Sequence, residues 1–300
     1  MQQKIEGAAI ALEDATHILI TAGAGMGVDS GLPDYRGKYG LWKAYPPMQK
    51  IGIHLTNLTP RLYNSHPDLM VGFMSHTYSL FKNAIPHEGY HIIKEILDEK
   101  CITDPDCYFI YTSNVDGHFG RIFPEERIVE CHGTKQFLQC VNKCTSELWE
   151  SDGYFNIAPF PSNVDPDTFE GIKPYPLCKY CGSLVRPNTM LFEDDFFIHD
   201  RLKKQEKRLL DWMERIEHQV QRFVVIEIGA GETVDRVRRV SENTTYVMSN
   251  YHRSHPTIIR INPNESDIPE YLIENHKITC LAIPLGGLEA LMGIKEYNLQ

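Results

Sequence analysis

Apolar positions along this chain repeat with two distinct periods, and the two alternate. Over residues 4–15, Ile5, Ala8, Ala9 and Leu12 recur three and four apart, the spacing of one helix face. The next apolar run, His17-Ile18-Leu19-Ile20-Thr21, is short, β-branched and closed by glycines, which reads as a buried strand. The same alternation continues through a helix over 88–99, with Tyr90, Ile92, Ile93, Ile96 and Leu97 on its apolar side, and a strand over 107–111. Arg127-Ile128-Val129 fits a short strand, and residues 200–221 fit a long amphipathic helix. Phe223-Val224-Val225-Ile226-Glu227-Ile228 is the clearest strand, followed by strands at 257–261 and 277–283 and a closing helix at 288–294. Strands alternating with helices predict an α/β domain, a Rossmann-like parallel sheet covered on both faces.

Two stretches break the alternation. Residues 38–87 read as a helical excursion, with helices near 57–64 and 67–83. Residues 135–187 hold four cysteines and several prolines with little helical period, and 151–176 is mostly loop chemistry. The expected organisation is a sheet domain from 1–37, 88–134 and 188–300, a helical excursion with a flap at 38–87, and a small inserted module at 135–187.

Composition adds exclusions. At 300 residues, 42% hydrophobic and 23% charged, the chain can bury a sizeable core without disulfide staples. A net charge of −10 argues against a dedicated nucleic-acid binder, because such affinity comes mainly from cations on phosphates. The basic run at 201–208 reads as a solvated helix face. No basic patch leads into an apolar segment at the N-terminus, and no stretch of about 18 apolar residues occurs, so neither a signal peptide nor a membrane span is expected. Eight cysteines without an export signal suggest a reducing compartment, with the cytoplasm as the expectation.

Candidate chemistry sits where strands end. Gly23-Ala24-Gly25-Met26-Gly27 follows the first strand. Such a turn can present amides to a pyrophosphate, or its glycines can serve packing alone. Val28 occupies the place of a third glycine and no acidic residue follows a second strand about 20 residues on, which disfavours a conventional dehydrogenase. Asp29-Ser30-Gly31-Leu32-Pro33-Asp34-Tyr35-Arg36-Gly37 combines turn formers with a carboxylate, an aromatic ring and a guanidinium, as suits a flap over a ligand. Thr112-Ser113-Asn114-Val115-Asp116-Gly117 also follows a strand, where its polar side chains could read a ligand or close an Asx-turn. In Glu130-Cys131-His132-Gly133-Thr134 the imidazole is a candidate general base, neutral enough near pH 7 to accept a proton. Cys140-x3-Cys144 and Cys178-x2-Cys181 form two pairs on tight turns, a pattern four thiolates can use to close a tetrahedral Zn²⁺ site. Cys101, Cys107, Cys131 and Cys280 read as buried thiols.

Taken in order, these segments resemble the signatures of the sirtuin family. Residues 23–37 resemble its Gly-Ala-Gly-x-Ser…Gly-Ile-Pro-Asp-Phe-Arg, with Gly27 for serine and Tyr35 for phenylalanine. Residues 112–117 resemble Thr-Gln-Asn-Ile-Asp-Gly, with Ser113 for glutamine, and 130–134 resemble Glu-x-His-Gly-(Ser/Thr). Residues 182–194 resemble its peptide-binding segment, with Thr189 and Met190 for two valines and Glu193-Asp194 for Gly-Glu. Gly229-Ala230-Gly231 and Asn262 resemble the turns over the adenosine half of the cofactor.

The resemblance implies an NAD-dependent protein-lysine deacylase that yields nicotinamide and O-acyl-ADP-ribose, with acetyl the expected acyl group. His132 would be the catalytic base. Gly23, Ala24, Gly25, Asp34, Tyr35, Arg36, Ser113, Asn114, Asp116, Gly229, Ala230, Gly231 and Asn262 would bind NAD. Cys140, Cys144, Cys178 and Cys181 would hold a structural zinc. The partner would be an acylated-lysine protein or peptide bound along the 182–194 segment by backbone pairing, with no direct nucleic-acid or membrane partner. Some members clamp acidic acyl chains with Tyr-x-x-Arg; Met74 and Thr77 stand there in this chain, implying weak activity on succinyl- or malonyl-lysine. Ser113 and Gly27 also leave room for an NAD glycohydrolase or mono-ADP-ribosyltransferase, and a non-catalytic NAD-sensing module is the alternative outside enzymes.

Overall fold

The computed structural model describes all residues except 34–39, 103, 153–163, 166, 218–219, 253 and 299–300. Helix α1 (Gln2–Asp14) leads into strand β1 (His17–Ala22) and a 3₁₀ segment, Ala24–Ser30. The excursion carries helices α2 (Gly40–Ala44), α3 (Pro46–Lys50), α4 (Leu62–Ser65) and α5 (Pro67–Asn83). Then come α6 (Glu88–Lys100), β2 (Tyr108–Thr112), α7 (His118–Ile122), β3 (Ile128–Glu130), β4 (Gly133–Cys140), β5 (Trp149–Glu150) and β6 (Val185–Thr189). The chain closes with α8 (Asp200–Ile216), β7 (Phe223–Ile228), α9 (Arg236–Ser249), β8 (Thr257–Ile261), α10 (Glu270–Ile273), β9 (Thr279–Ile283) and α11 (Gly287–Asn298).

Six parallel strands form one sheet in the order β3-β2-β1-β7-β8-β9. Side chains alternate across a strand, so each central strand must feed two cores. Ile18 and Ile20 of β1 join Ile5, Tyr90 and Leu291 on one side, while Leu19 joins Phe109, Trp212 and Phe223 on the other. This two-sided demand is why β1 and β7 are buried at every position and are predominantly apolar, with His17, Thr21 and Glu227 the buried polar side chains within them. Strands β5-β4-β6 make a separate antiparallel sheet, and a third apolar cluster built on Tyr45, Met48, Tyr63, Met70 and Phe73 fills the excursion.

Several expectations change. The helix placed at 57–64 is instead a 3₁₀ turn at Leu55–Asn57 and a single helical turn at Leu62–Ser65. Pro60, which has no amide to donate, separates them. Helices α2 and α3 were not legible, being shorter than two turns. Cys101 and Cys107 are not free thiols but a disulfide spanning the turn between α6 and β2, and Cys280 is only half-buried. The basic run is not simply a solvated face either. Arg201 pairs with the buried Glu130 at 2.6 Å and with Glu125 at 3.2 Å, and Arg208 donates to the Glu125 carbonyl. Lys207, paired with Asp211 one turn on, does face solvent. Among the described residues no helix is long and apolar enough to cross a membrane.

Candidate active site

Strand order reverses between β1 and β7, and in such sheets the carboxyl ends of the strands flanking the reversal open a crevice. Here the two turns bounding it are the glycine turns. Gly23 and Gly25 donate to the carbonyls of Ile228 and Gly229, each at 3.0 Å. A Cβ on Gly25 would stand 2.6 Å from the Gly229 Cα, and Gly229 itself has φ of +63°. The packing role for these glycines is therefore realised: backbone lies on backbone, and no side chain fits between.

Cavities flank this double turn. One of about 540 Å³ is lined by Gly25, Gly229, Gly231, Asn262 and Gly287. Another of about 450 Å³ is lined by Ala24, Ser113, Asn114, Asp116 and His132, together with Leu32, Phe73 and Met190. Ala230 is buried beside the first, and its carbonyl accepts from Asn262 Nδ2 and Arg238 Nε. Asn262 also accepts from the amides of Asn264 and Glu265, so most of its side chain is spent shaping the turn. Asp34, Tyr35 and Arg36 lie outside the described residues.

The end of β2 shapes the second cavity. Thr112 Oγ1 donates to the Ala22 carbonyl and accepts from the Asn114 amide, turning the chain across the top of β1. Asn114 is buried, yet neither its Oδ1 nor its Nδ2 has a partner among the described residues. A buried amide left so costs roughly 1–3 kcal/mol, which a bound amide would recover. Asp116 closes the Asx-turn that Asn114 does not, accepting from the His118 amide at 2.8 Å. Burial, helped by the nearby Glu130 charge, pushes its carboxyl up to about 6.

His132 emerges half-buried between β3 and β4. The following glycine is obligatory: Gly133 has φ of +74°, and a Cβ there would meet the Asn188 carbonyl oxygen at 2.0 Å. The turn is held from below by side chains that sequence reasoning passed over. Arg236 donates to Tyr111 Oη at 2.9 Å and to the Cys131 carbonyl at 3.3 Å, and pairs with Glu206. Arg201 neutralises Glu130 two residues before His132. Nothing in the local sequence pairs these groups, and the motif around His132 gave no sign of them.

On the facing wall, the Met190 amide donates to the His132 carbonyl and the Phe192 amide to that of Leu58. Glu193 occupies left-handed space at φ of +51°, which explains why glycine suits this position in the resembling segment. Asp194 is buried against Arg186 at 2.7 Å and takes the Leu191 amide, fixing the loop. Beyond β4, the sulfurs of Cys140, Cys144, Cys178 and Cys181 lie within 4.8 Å of one another. Two of the separations are 3.5 and 3.6 Å, close to the edge of a tetrahedron with Zn–S bonds of about 2.3 Å. The four thiols fit such an ion.

Comparison with known proteins matches this frame. The family model described as Sir2 family matches residues 23–217. An NAD-dependent protein deacylase of Aquifex aeolicus is 30% identical over 176 residues, 59% of this chain and 61% of that protein, so the match spans about three-fifths of the relative. An NAD-dependent protein deacetylase of Shouchella clausii is 24% identical over 272 residues, 89% of this chain and 96% of that protein. Among solved structures, an ADP-ribose complex of a Sir2 homologue superposes with a TM-score of 0.65 at 20% identity, covering 98% and 96% of the two chains. An NAD complex of a Sir2 homologue gives 0.62 at 20% identity over 98% and 94%.

Proposed function

Because this chain belongs to the Sir2 family, we propose that it removes acyl groups from protein lysines at the expense of NAD. The observation that carries the reading is the buried Asn114 amide, without a partner among the described residues, in the same cavity as His132. A carboxamide such as that of nicotinamide supplies the donor and the acceptor that Asn114 lacks. Asp116 would flank it, and Ser113 and Ala24 would line the approach. The cavity around Gly25, Gly229, Gly231 and Asn262 would take the adenosine half, with the paired glycine turns between the two ends. NAD supplies a ribose carbon able to accept the acyl oxygen as nicotinamide leaves; one water is consumed, and the products are lysine, nicotinamide and O-acyl-ADP-ribose. The imidazole of His132 takes the proton from a ribose hydroxyl, and the apolar wall of Leu32, Phe73 and Met190 keeps bulk water from the reacting centre.

Residues 189–193 would form the groove for the acylated peptide. Cys140, Cys144, Cys178 and Cys181 would hold zinc with no open position, so the ion supplies structure and takes no part in chemistry. A cytoplasmic setting belongs to the same reading and rests on that thiolate set. It does not rest on Cys101 and Cys107.

The test incubates the protein with NAD and a panel of acyl-lysine peptides, reading peptide mass and free nicotinamide. NAD-dependent acyl loss is expected, and His132→Ala should slow it by about 10²–10⁴-fold, the usual worth of a general base. Nicotinamide released at an undiminished rate with no acyl peptide deacylated would instead favour NAD hydrolysis, the activity that Ser113 and Gly27 make room for.

A further inference from the structure

Strand β4 does not run evenly beside β6. Thr134 faces Asn188 and Leu138 faces Pro187, so residues 135–137 have no partners on β6 and form a bulge. Bulges of this kind re-aim side chains next to sites. The side chain re-aimed here is Lys135, whose Nζ donates to Thr77 Oγ1 at 2.5 Å and to Met74 Sδ at 3.4 Å. The ammonium lies 5.7 and 5.6 Å from the centres of the Phe73 and Phe81 rings. Lys135 is only 7% exposed, and it lines the same 450 Å³ cavity as His132 and Asn114.

A lysine so enclosed has three donors and a charge to satisfy. Thr77 takes one donor and a soft sulfur a second. No carboxylate among the described residues lies within 4.0 Å of Nζ, and burial lowers its pKa. Asp116, the acid sharing the cavity, does not pair with it. An enclosed ammonium without a counter-charge is costly to the fold, and aromatic faces offset only part of that cost. Its retention in a substrate cavity makes sense when an anion arrives with the ligand.

We propose that Lys135 is a specificity-determining residue that receives the terminal carboxylate of an acidic acyl chain, of succinyl to glutaryl size, on the substrate lysine. The inference rests on the deacylase reading above and deepens it. Met74 and Thr77, whose lack of charge implied weak activity on acidic acyl groups, are the two residues on which the Lys135 ammonium sits. The cation comes from the neighbouring strand, where the linear pattern of α5 could not reveal it. The carboxylate would complete the third donor and the charge in a charge-assisted hydrogen bond. An acetyl group leaves both unmet.

The experiment measures kcat/KM for acetyl-, butyryl-, malonyl-, succinyl- and glutaryl-lysine on one peptide sequence, with wild type and Lys135→Met. Alongside it, calorimetry follows binding of the acetyl and succinyl peptides in the presence of ADP-ribose. We expect wild type to favour succinyl or glutaryl over acetyl by at least tenfold in both measurements. Lys135→Met should collapse that ratio to near or below one, mainly through KM. Acetyl or butyryl preferred by wild type overturns the proposal whether or not the variant folds, and so does a folded variant that keeps the acidic preference. If no peptide is deacylated at all, the deacylase reading fails, while the binding ratio still decides what Lys135 recognises.

Discussion

Lys135 has a consequence for stability that does not depend on catalysis. Burial holds its ammonium down to a pKa of about 7 in the folded chain, against an ordinary value of 10.5. The titratable groups around it are His76 on α5, itself shifted down by burial and by the Lys135 charge, Asp116 and Glu193 in the same cavity, and Lys82, Arg121, Glu150 and Asp152 lining an adjoining one. Below pH 7 the lysine is protonated in both folded and unfolded chains, and the full cost of burying its charge stands. Between about 7 and 10.5 only the unfolded chain binds the proton, so this group makes stability rise with pH, by at most about 1.4 kcal/mol per pH unit. Lys135→Met should therefore be more stable than wild type at pH 7, by a few kcal/mol, with the gap closing toward pH 10. Denaturant unfolding of both proteins across that range checks it; parallel curves would contradict the burial argument. This residue was illegible in the sequence because a lysine in Gly-Thr-Lys-Gln-Phe-Leu looks like the polar side of a strand, and the bulge that inverts it depends on pairing 50 residues away. Gly133 is the opposite case, since its φ of +74° and the close Asn188 carbonyl admit no side chain.

Elements divide along the same line between local and distant causes. Strands β1, β7 and β8 were readable to within a residue because burial on both faces favours apolar side chains, the buried Glu227–Arg260 pair joining β7 to β8 being an exception. The excursion was harder. A five-residue helix such as α2 or α3 shows too little periodicity, and Pro60 interrupts a segment whose apolar spacing otherwise suits a helix. The cysteine pairs were plain from spacing, but their energetic role follows from the sheet they close. Cys140 ends β4, and an isolated bridge joins Leu177 to Leu184 across the Cys178 turn, so the four sulfurs tie together segments that otherwise share three short strands. Among the described residues the buried cluster around two of the cysteines is small, built on Tyr78, Leu138, Trp149 and Val185. A zinc ion bound at these thiolates should thus contribute directly to folding. Cys178→Ser, or a strong chelator, is expected to release about one zinc per chain and lower the melting temperature, with hydrogen exchange rising first in β4–β6. Unchanged exchange in those strands after complete metal removal would refute a structural role.

At the scale of the molecule, two cavities on either side of one double glycine turn define how a dinucleotide would divide its contacts. In this reading the adenosine end would meet backbone and the largely committed Asn262 side chain, whereas the nicotinamide end would meet Asn114, whose polar atoms have no partner among the described residues. The two ends are also carried by different strands, β7 and β8 for one and β2 for the other, so a change at one should leave the other's geometry in place. ADP-ribose, which lacks nicotinamide, should then bind through the adenosine end and stabilise wild type and Asn114→Ala to a similar degree. NAD should stabilise wild type more than it does the variant. A ligand at 100 times its Kd contributes about 2.7 kcal/mol, and removing one buried amide pairing weakens binding by roughly 1–3 kcal/mol, so the difference is within reach of thermal-shift titration. The comparison must be made without acyl peptide and with ligand added immediately before heating, so that NAD is not consumed. Equal loss of NAD and ADP-ribose binding in Asn114→Ala would mean that the amide supports the cavity wall as a whole, and the division of contacts drawn from these two cavities would be wrong.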